Sequence, residues 1–283
     1  MESSYSETKL LMKKYKITAN KRLGQNFLID DNVIEKIVES ADIKKDDLII
    51  EIGPGLGTLT EKLLEQAGKV ICIELDTRMI KILKERFILY KNLEILNEDV
   101  LKVNLNKIIN ENQLSGNVKI VANLPYYITT PIIMKLLEEK LNIESITIMI
   151  QKEVAKRLSA VPGDKEAGAI TYTVYYYSDV YEILTVLNDS FIPAPEVESE
   201  VIKLKIRKEP IIKLTKQQEE RLFKIIKVAF MQRRKTLINA LCNSELKIEK
   251  GKLEEILANL QIDERVRAEN LTLQQFSKIA LKV

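Results

Sequence analysis

The stretch DLIIEIGPGLGTLTEKLLEQA, residues 47–67, predicts a buried strand, a glycine-rich turn and a helix in direct succession. The apolar run at its start has the length of a strand, and three alternate glycines allow a tight turn. Apolar residues then recur at the spacing of a helix. A strand, turn and helix in this order are typical of an α/β protein with a parallel sheet.

The same alternation continues over residues 30–160. Further strands are predicted at KVICIEL, LEILNED, VKIVAN and SITIMIQ, and further helices at DDNVIEKIVESA, TRMIKILKERF and TTPIIMKLLEEK. Strands separated by helices of about 10 to 15 residues predict a mostly parallel sheet covered on both faces. In such sheets, ligands bind beyond the carboxyl ends of the strands, where the strand order reverses.

The rest of the chain has a different pattern. The aromatic run YTVYYYSDVYEILTVL, residues 172–187, favours β-structure, and EVIKLKI, residues 200–206, alternates as a strand does. Candidate helices follow at 216–230, 233–243, 252–260 and 272–281. We therefore expect a first domain over residues 1–207, with residues 1–20 as a flexible extension, and a small helical domain over residues 208–283.

Composition narrows the possible chemistry. The sequence has no histidine and two cysteines, Cys72 and Cys242, which excludes histidine-based triads and makes a metal centre unexpected. Both cysteines are predicted to be reduced packing residues. Neither a secretory signal nor a run of apolar residues long enough for a membrane helix is recognisable, so we expect a cytoplasmic protein without a membrane partner.

Charge is unevenly distributed along the chain. Residues 1–202 contain 25 Lys and Arg against 31 Asp and Glu, whereas residues 203–283 contain 19 against 10. A basic module after a mildly acidic one predicts a polyanionic partner, with a solvated helical surface as the alternative.

The glycine spacing distinguishes between cofactors. Gly53, Gly55 and Gly57 leave Thr58 where the dinucleotide fingerprint has its third glycine, and the lysine of a P-loop is missing. This disfavours a NAD-dependent oxidoreductase and a triphosphate site. Two acidic residues, Glu51 before the turn and Glu74 at the end of the next strand, suit a cationic ligand with ribose hydroxyls. These demands describe S-adenosylmethionine.

Two further strand ends carry candidate site residues. Asp99, after the third strand, can accept a hydrogen bond from the exocyclic amine of an adenine, although it could also be a helix cap. After the fourth strand, Asn123 and the carbonyl of Leu124 can accept the hydrogens of a target amine and stabilise the charge that develops on it. Pro125 restricts Leu124 to extended conformations, and Tyr126 offers a stacking face for a base. Tyr127 has no assigned role.

Seven segments together resemble the ribosomal RNA adenine N6,N6-dimethyltransferase family. They are KRLGQNFLID, EIGPGLGTLT, NLPYYITTPI, QKEVAKRL, FIPAPEVES, FMQRRKTLINAL and RAENLTLQQF, which begin at residues 21, 51, 123, 151, 191, 230 and 267. The resemblance implies a Rossmann-like class I methyltransferase fold with a small helical C-terminal domain. The chain departs from the family pattern at Ala167, Ala194, Glu198 and Ala240, which affects the expected shape of the substrate loop.

The resemblance also implies roles for single residues. The cofactor would be bound by Asn26, Leu28, Gly53, Gly55, Glu74, Asp99 and Asn123. Catalysis would depend on Asn123 and Leu124, and the target adenine would lie between Tyr126 and Phe191. Independently of the resemblance, the positive charge that an rRNA target requires predicts RNA contacts at Arg22, Lys152, Arg157, Arg233, Arg234 and Lys235, with the cluster at 233–235 as the strongest candidate.

The implied reaction is dimethylation of N6 of two adjacent adenosines in a loop near the 3′ end of 16S rRNA in the small (30S) subunit. The resemblance also implies a monomeric enzyme with a role in small-subunit biogenesis. Three alternatives remain at this point. They are a related 23S rRNA methyltransferase of the macrolide-resistance type, a DNA adenine methyltransferase, and a protein that acts chiefly as an assembly checkpoint.

Overall fold

The computed structural model describes residues 3–20 and 23–283 of the chain. The strands are β1 (Phe27–Leu28), β2 (Leu48–Ile52), β3 (Lys69–Glu74), β4 (Leu93–Asn97), β5 (Val118–Asn123), β6 (Ser145–Gln151), β7 (Ser178–Val186), β8 (Phe191–Ile192) and β9 (Ser199–Ile206). The helices are α1 (Ser4–Lys14), α2 (Asp31–Ala41), α3 (Thr58–Gln66), α4 (Thr77–Arg86), α5 (Leu105–Asn112), α6 (Thr129–Glu138), α7 (Lys152–Ser159), α8 (Ala169–Tyr177), α9 (Lys216–Met231), α10 (Leu237–Cys242), α11 (Lys250–Asn259) and α12 (Leu273–Lys282).

The main sheet of the described residues has the strand order β4-β3-β2-β5-β6-β9-β7. Strand β2 pairs in parallel with β3 on one side and with β5 on the other, so the order reverses between β2 and β5. Strand β9 lies antiparallel to β6. The fold class is therefore the predicted one: an α/β, mostly parallel sheet with the cofactor-binding edge expected at the carboxyl ends of β2 and β5.

Burial of the central strands shows that helices and loops cover both faces of the sheet. Every residue of β2 is buried, which explains why its sequence is apolar except for Glu51 instead of alternating with polar residues. Helix α2 contacts α3 and strand β6, and α3 contacts β3, around a core that includes Ile37, Leu63 and Ile49. The predicted helices of this region formed because each carries its apolar residues on one side.

The described residues divide into two compact units. The first comprises residues 1–155 and 180–206, and the second comprises residues 156–179 and 207–283. The second unit thus includes a segment, residues 156–179, that the sequence pattern groups with the first domain. Whether the two units divide catalysis from RNA binding stays a prediction.

The prediction of β-structure for residues 172–187 was wrong in its first half. Residues 169–177 form helix α8, and only the following residues form strand β7. Tyr172 and Tyr176 lie one helical turn apart, are both fully buried, and contact Phe276 and Phe223 edge to face. This packing inside the second unit outweighs the β-propensity of the aromatic residues.

Candidate active site

A cleft opens at the carboxyl ends of the parallel strands. The predicted cofactor residues line it: Asn26, Leu28, Gly53, Gly55, Glu74, Asp99 and Asn123. They come from five separate parts of the sequence. Four of these parts end or follow neighbouring parallel strands, which end at the same edge of the sheet, and the fifth, with Asn26 and Leu28, lies at β1.

The glycine turn after β2 depends on left-handed backbone angles. Gly53 and Gly57 have φ of 69° and 87°, a conformation that side chains disfavour. On the cleft side, a Cβ at Gly53 would have only the carbonyl of Asn123 nearby, at 3.9 Å. The turn therefore presents bare backbone to the cleft, which lets a ligand approach the main chain closely.

Glu74 ends β3 with its carboxylate held by backbone donors. Its Oε2 accepts from the N–H of Gly55 at 3.2 Å, and its Oε1 accepts from the N–H of Asp76 at 2.8 Å. Burial raises the pKa of this carboxyl, while the two backbone donors oppose that shift. Each oxygen retains lone pairs, so the carboxylate can accept the hydroxyls of a ribose.

Glu51 lies beneath the turn and is almost completely buried. Burial raises its pKa to about 7, and nearby Glu74 adds to the effect. The thiol of Cys72 donates to its Oε2 at 3.4 Å and acts in the opposite direction. The carboxyl lines the cleft and could balance a cationic ligand once it is ionised.

Asp99 lies on the loop after β4 and lines the cleft. Its Oδ1 accepts from the N–H of Leu101 at 2.9 Å, and its Oδ2 is 3.6 Å from the ammonium of Lys102. The side chain is 29% exposed, so it can still accept a hydrogen bond from a ligand amine. Both the capping role and the adenine contact considered from the sequence are thus compatible with its position.

Asn123 is oriented by the segment that precedes β1. Its Nδ2 donates to the carbonyl of Asn26 at 3.2 Å. Because this bond uses the amide nitrogen, the Oδ1 of Asn123 is available as an acceptor. The side chain of Asn26 connects the same segment to the loop after β8. With its amide nitrogen turned toward Pro193, it donates to the Pro193 carbonyl at 3.1 Å. Leu28 is buried in the core below, so it forms the floor of the cleft rather than an exposed contact.

The turn at residues 124–126 has the geometry that its proline predicts. Pro125 has φ −60° and ψ 132°, and the N–H of Leu124 donates to Met149 in β6 at 3.1 Å. Among the described residues, no donor bonds the Leu124 carbonyl. Tyr126 is half-buried, and its hydroxyl is 2.6 Å from that of Ser199 in β9. Burial raises the pKa of the Tyr126 phenol, so it acts as a neutral ring.

Phe191, predicted as the second stacking residue, lies beside the cleft lining rather than in it. It belongs to β8, pairs with Leu28 of β1, is buried to 3% exposure and does not line the cleft. The ring packs in the hydrophobic core because β1 and β8 form a two-stranded antiparallel ladder there. The predicted position of the target adenine between Tyr126 and Phe191 stays a prediction.

Several cleft residues were not predicted from the sequence, among them Gln25 and Tyr127. Gln25 donates to Asp76 through its Nε2 at 3.0 Å, and its Oε1 accepts from the N–H of Asn20 at 2.9 Å. Tyr127 lines the cleft with its ring against Gly24, where a Cβ would be 3.2 Å from the Tyr127 ring. The left-handed φ of Gly24, 58°, fits this close approach, and such a glycine was the available signal.

The predicted RNA-binding residues differ in their surroundings. Arg22 lies outside the described residues. Lys152 forms an ion pair with Glu198 at 2.6 Å, and Arg157 is exposed on α7.

Arg233 pairs with Glu269 at 2.5 Å and also donates to the carbonyl of Lys165, so its guanidinium is already engaged. Arg234 and Lys235 are exposed, and within the described ranges neither forms an ion pair.

The sheet order, the glycine turn and the carboxylates at the ends of β3 and β4 define a class I S-adenosylmethionine-dependent methyltransferase. The open backbone at Gly53 and the lone pairs of Glu74 fit that cofactor, as do the acidic side chains that would face its positive charges. Within residues 3–20 and 23–283, no group of three or more Cys, Asp or Glu side chains is arranged to hold a metal ion. Over the same ranges, no helix is both long and apolar enough to cross a bilayer.

Sequence comparison with known proteins narrows this class of methyltransferases to one family. The sequence matches the ribosomal RNA adenine dimethylase family over residues 16–283. Ribosomal RNA small subunit methyltransferase A of Alkaliphilus oremlandii is 49% identical over 278 residues, which cover 98% of this chain and 96% of the relative. The protein of the same name from Clostridioides difficile is 44% identical, covering 98% of this chain and 95% of the relative.

Solved structures agree with this relationship. A dimethyladenosine transferase from Plasmodium falciparum superposes with a TM-score of 0.75 at 29% identity, over 90% of this chain and 96% of that one. The 23S rRNA methyltransferase ErmE gives a TM-score of 0.67 at 25% identity, over 91% of this chain and 99% of that one. The chain belongs to the ribosomal RNA adenine dimethylase family.

Proposed function

We propose that this enzyme dimethylates N6 of two adjacent adenosines in a loop near the 3′ end of 16S rRNA, within the small ribosomal subunit. The acceptor pair of Asn123 and Leu124 at the mouth of the cleft carries this proposal. Relatives named as small-subunit methyltransferases, up to 49% identical over nearly the whole chain, support it over the 23S rRNA alternative. The relative that acts on 23S rRNA, ErmE, is 25% identical.

Asn123 and Leu124 explain how the exocyclic amine of the target adenosine would become a nucleophile. Its lone pair is delocalised into the base, so acceptors that hold its hydrogens favour the tetrahedral nitrogen needed for attack and stabilise the charge that develops. Asn123 Oδ1 and the Leu124 carbonyl are two such acceptors, and the bond from Asn123 Nδ2 to Asn26 keeps the amide oxygen turned out. When bound, S-adenosylmethionine supplies an electrophilic methyl group on its sulfonium.

The wider role follows from the same proposal. The basic C-terminal residues would hold rRNA phosphates, Tyr126 would stack on the extruded base, and the protein would act as a monomer in the cytoplasm. Binding to the small subunit before and during methylation would give the enzyme a part in subunit biogenesis. Methylation would then be separable from subunit binding.

The test is to map N6,N6-dimethyladenosine in rRNA. Small subunits from cells that lack the enzyme are incubated with purified protein and radiolabelled S-adenosylmethionine, and the modified positions are located by mass spectrometry of nuclease fragments. We expect two adjacent dimethylated adenosines near the 3′ end of 16S rRNA. Label confined to 23S rRNA would overturn the assignment in favour of the alternative.

Asn123→Ala serves as the matched variant in the same assay. Loss of one preorganised acceptor is expected to lower kcat by about 10²-fold or more. Asn110→Ala, on the exposed side of α5, is the control and should retain full activity. An Asn123→Ala enzyme that methylates at the normal rate would remove the acceptor pair from the mechanism.

A further inference from the structure

Arg86, at the C-terminal end of α4, connects three elements around the glycine turn. Its Nη1 donates to the carbonyl of Leu56, within the turn, at 2.8 Å. Its Nη2 donates to Glu61 of α3 at 2.7 Å and to Glu7 of α1 at 2.5 Å. The Arg86 side chain is only 9% exposed, so these are largely desolvated, charge-assisted contacts.

The end of α4 supports the glycine turn from the side opposite the cleft. Gly57 lies so close to α4 that a Cβ there would be 2.6 Å from the Phe87 ring and 2.8 Å from Leu83. On the cleft side of the same turn, the N–H of Gly55 donates to Glu74. Arg86 therefore fixes a peptide group adjacent to the backbone that would contact the cofactor, although Arg86 does not line the cleft.

Helix α1 reaches this arrangement through Glu7. Two apolar side chains of α1, Leu11 and Met12, pack against a cluster that includes Leu56 of the turn. The other described polar contacts of this segment lie away from the turn: the N–H of Ser4 donates to Asp31, and the hydroxyl of Tyr15 donates to Glu85 at 2.7 Å. No residue of α1 lines the cleft, and α1 precedes residue 16, where the match to the family begins. A contribution of α1 to cofactor binding is therefore not implied by the family match.

We propose that Arg86 is a positioning residue for S-adenosylmethionine and that Glu7 holds it in place, so that α1 strengthens binding in a cleft it does not line. A buried guanidinium that loses one of two carboxylate partners becomes incompletely compensated and shifts toward the remaining acceptors. Here the acceptors that remain are Glu61 and the turn carbonyl, so the turn itself is displaced. This inference depends on the cofactor and is independent of which RNA is methylated.

Calorimetric titration of the purified protein with S-adenosylhomocysteine tests the proposal without any RNA. Glu7→Gln keeps the shape of the side chain and removes its charge, and we expect the Kd to rise about three- to tenfold. Tyr15→Phe is the matched control, because it removes a different contact between the N-terminal segment and α4. We expect its Kd to stay within about twofold of the unmodified protein.

A double-mutant cycle connects the effect to Arg86. Arg86→Met should raise the Kd by more than Glu7→Gln does, and adding Glu7→Gln to Arg86→Met should cause no further rise. If Arg86→Met yields too little folded protein, Arg86→Lys replaces it, since a lysine cannot reach all three acceptors in this geometry. Urea denaturation of each apoprotein shows whether the Kd follows global stability.

Three results would overturn the proposal. The first is an equal rise in Kd for Glu7→Gln and Tyr15→Phe, which would mean that α1 acts only by general stabilisation. The second is a normal Kd for Glu7→Gln, and the third is full additivity of the Glu7 and Arg86 changes. A wrong rRNA assignment would leave all of these binding results unchanged, so the two proposals fail separately.

Discussion

Glu51 illustrates how a single buried carboxyl links the cofactor cleft to the stability of the fold. It is 2% exposed, and burial raises its pKa from 4.5 to about 7. Ionised Glu74 adds to this shift, whereas Arg86 and the Cys72 thiol oppose it. The apoprotein therefore contains a carboxyl that is expensive to ionise in the place where a cationic ligand would make ionisation favourable.

The expected consequence is a stability that falls as pH rises. Between pH 4.5 and 7 the folded chain retains the Glu51 proton while the unfolded chain has lost it, so the free energy of unfolding decreases through this window and levels off above it. Glu51→Gln removes the titrating group. Its advantage in free energy of unfolding over the unmodified apoprotein should grow by about 1 to 3 kcal/mol between pH 4.5 and 8.

Urea denaturation at several pH values measures this difference. Glu74 is present in both proteins, so its raised pKa cancels in the comparison except for its interaction with Glu51, which belongs to the measured difference. Glu35→Gln, on the exposed side of α2, is the control, since that carboxyl is in water before and after unfolding. A difference between Glu51→Gln and the unmodified protein that stays constant with pH would contradict the prediction.

At the scale of elements, the turn between β2 and α3 depends on contacts with α4 as well as on its own glycines. Gly57→Ala would place a Cβ 2.6 Å from Phe87 and force φ of 87° on a residue with a side chain. We expect it to lower the free energy of unfolding by about 1 to 3 kcal/mol and to weaken cofactor binding, because the turn must move. Urea denaturation and calorimetry measure the two effects.

Gly251→Ala is the natural comparison for Gly57→Ala. Gly251 lies in the first turn of α11, and a Cβ there would have no atom within 4 Å. The substitution should be neutral or stabilise the protein by up to about 1 kcal/mol through helix propensity, with cofactor binding unchanged. Equal destabilisation by both substitutions would mean that the packing of α4 against the turn has no special role.

Helices and strands that are specified by neighbouring residues could be predicted from the sequence. Those that depend on packing against residues far along the chain could not. The strand, turn and helix at residues 47–67 formed as expected because apolar spacing and glycines specify them directly. Helix α8 was missed because its tyrosines are buried against residues such as Phe223 and Phe276, far along the chain.

The candidate site shows the same distinction. Glu74, Asp99 and Asn123 were found because each ends a recognisable strand, and all three line one cleft. The motif at Phe191 identified the residue but not its burial, which depends on the ladder with β1. The contact between Glu7 and Arg86 joins residues 79 apart in sequence, and no local pattern indicates such a pair.

At the scale of the whole molecule, charge and chemistry are concentrated in different parts of the chain. The cleft belongs to residues of the first compact unit, while the excess of positive charge lies in residues 203–283. Ion pairs and hydrogen bonds within the protein determine which of these positive side chains are free to contact RNA. Arg233 is engaged by Glu269 and a backbone carbonyl, whereas Arg234 and Lys235 are exposed. We therefore expect the phosphate-binding role predicted for the cluster to fall mainly on Arg234 and Lys235.

The double variant Arg234→Ala/Lys235→Ala tests this view of the basic unit. Loss of two phosphate contacts should weaken binding to small subunits and reduce the slope of log affinity against log salt by about 1 to 2, because fewer counterions are released. Binding of S-adenosylhomocysteine should be unchanged. The measurement is filter binding of labelled subunits over a range of salt concentrations.

The control variant Lys278→Ala/Lys282→Ala removes the same charge from exposed positions of α12 and should have a smaller effect. An equal loss for both double variants would show that net charge, rather than the cluster at 233–235, governs the affinity.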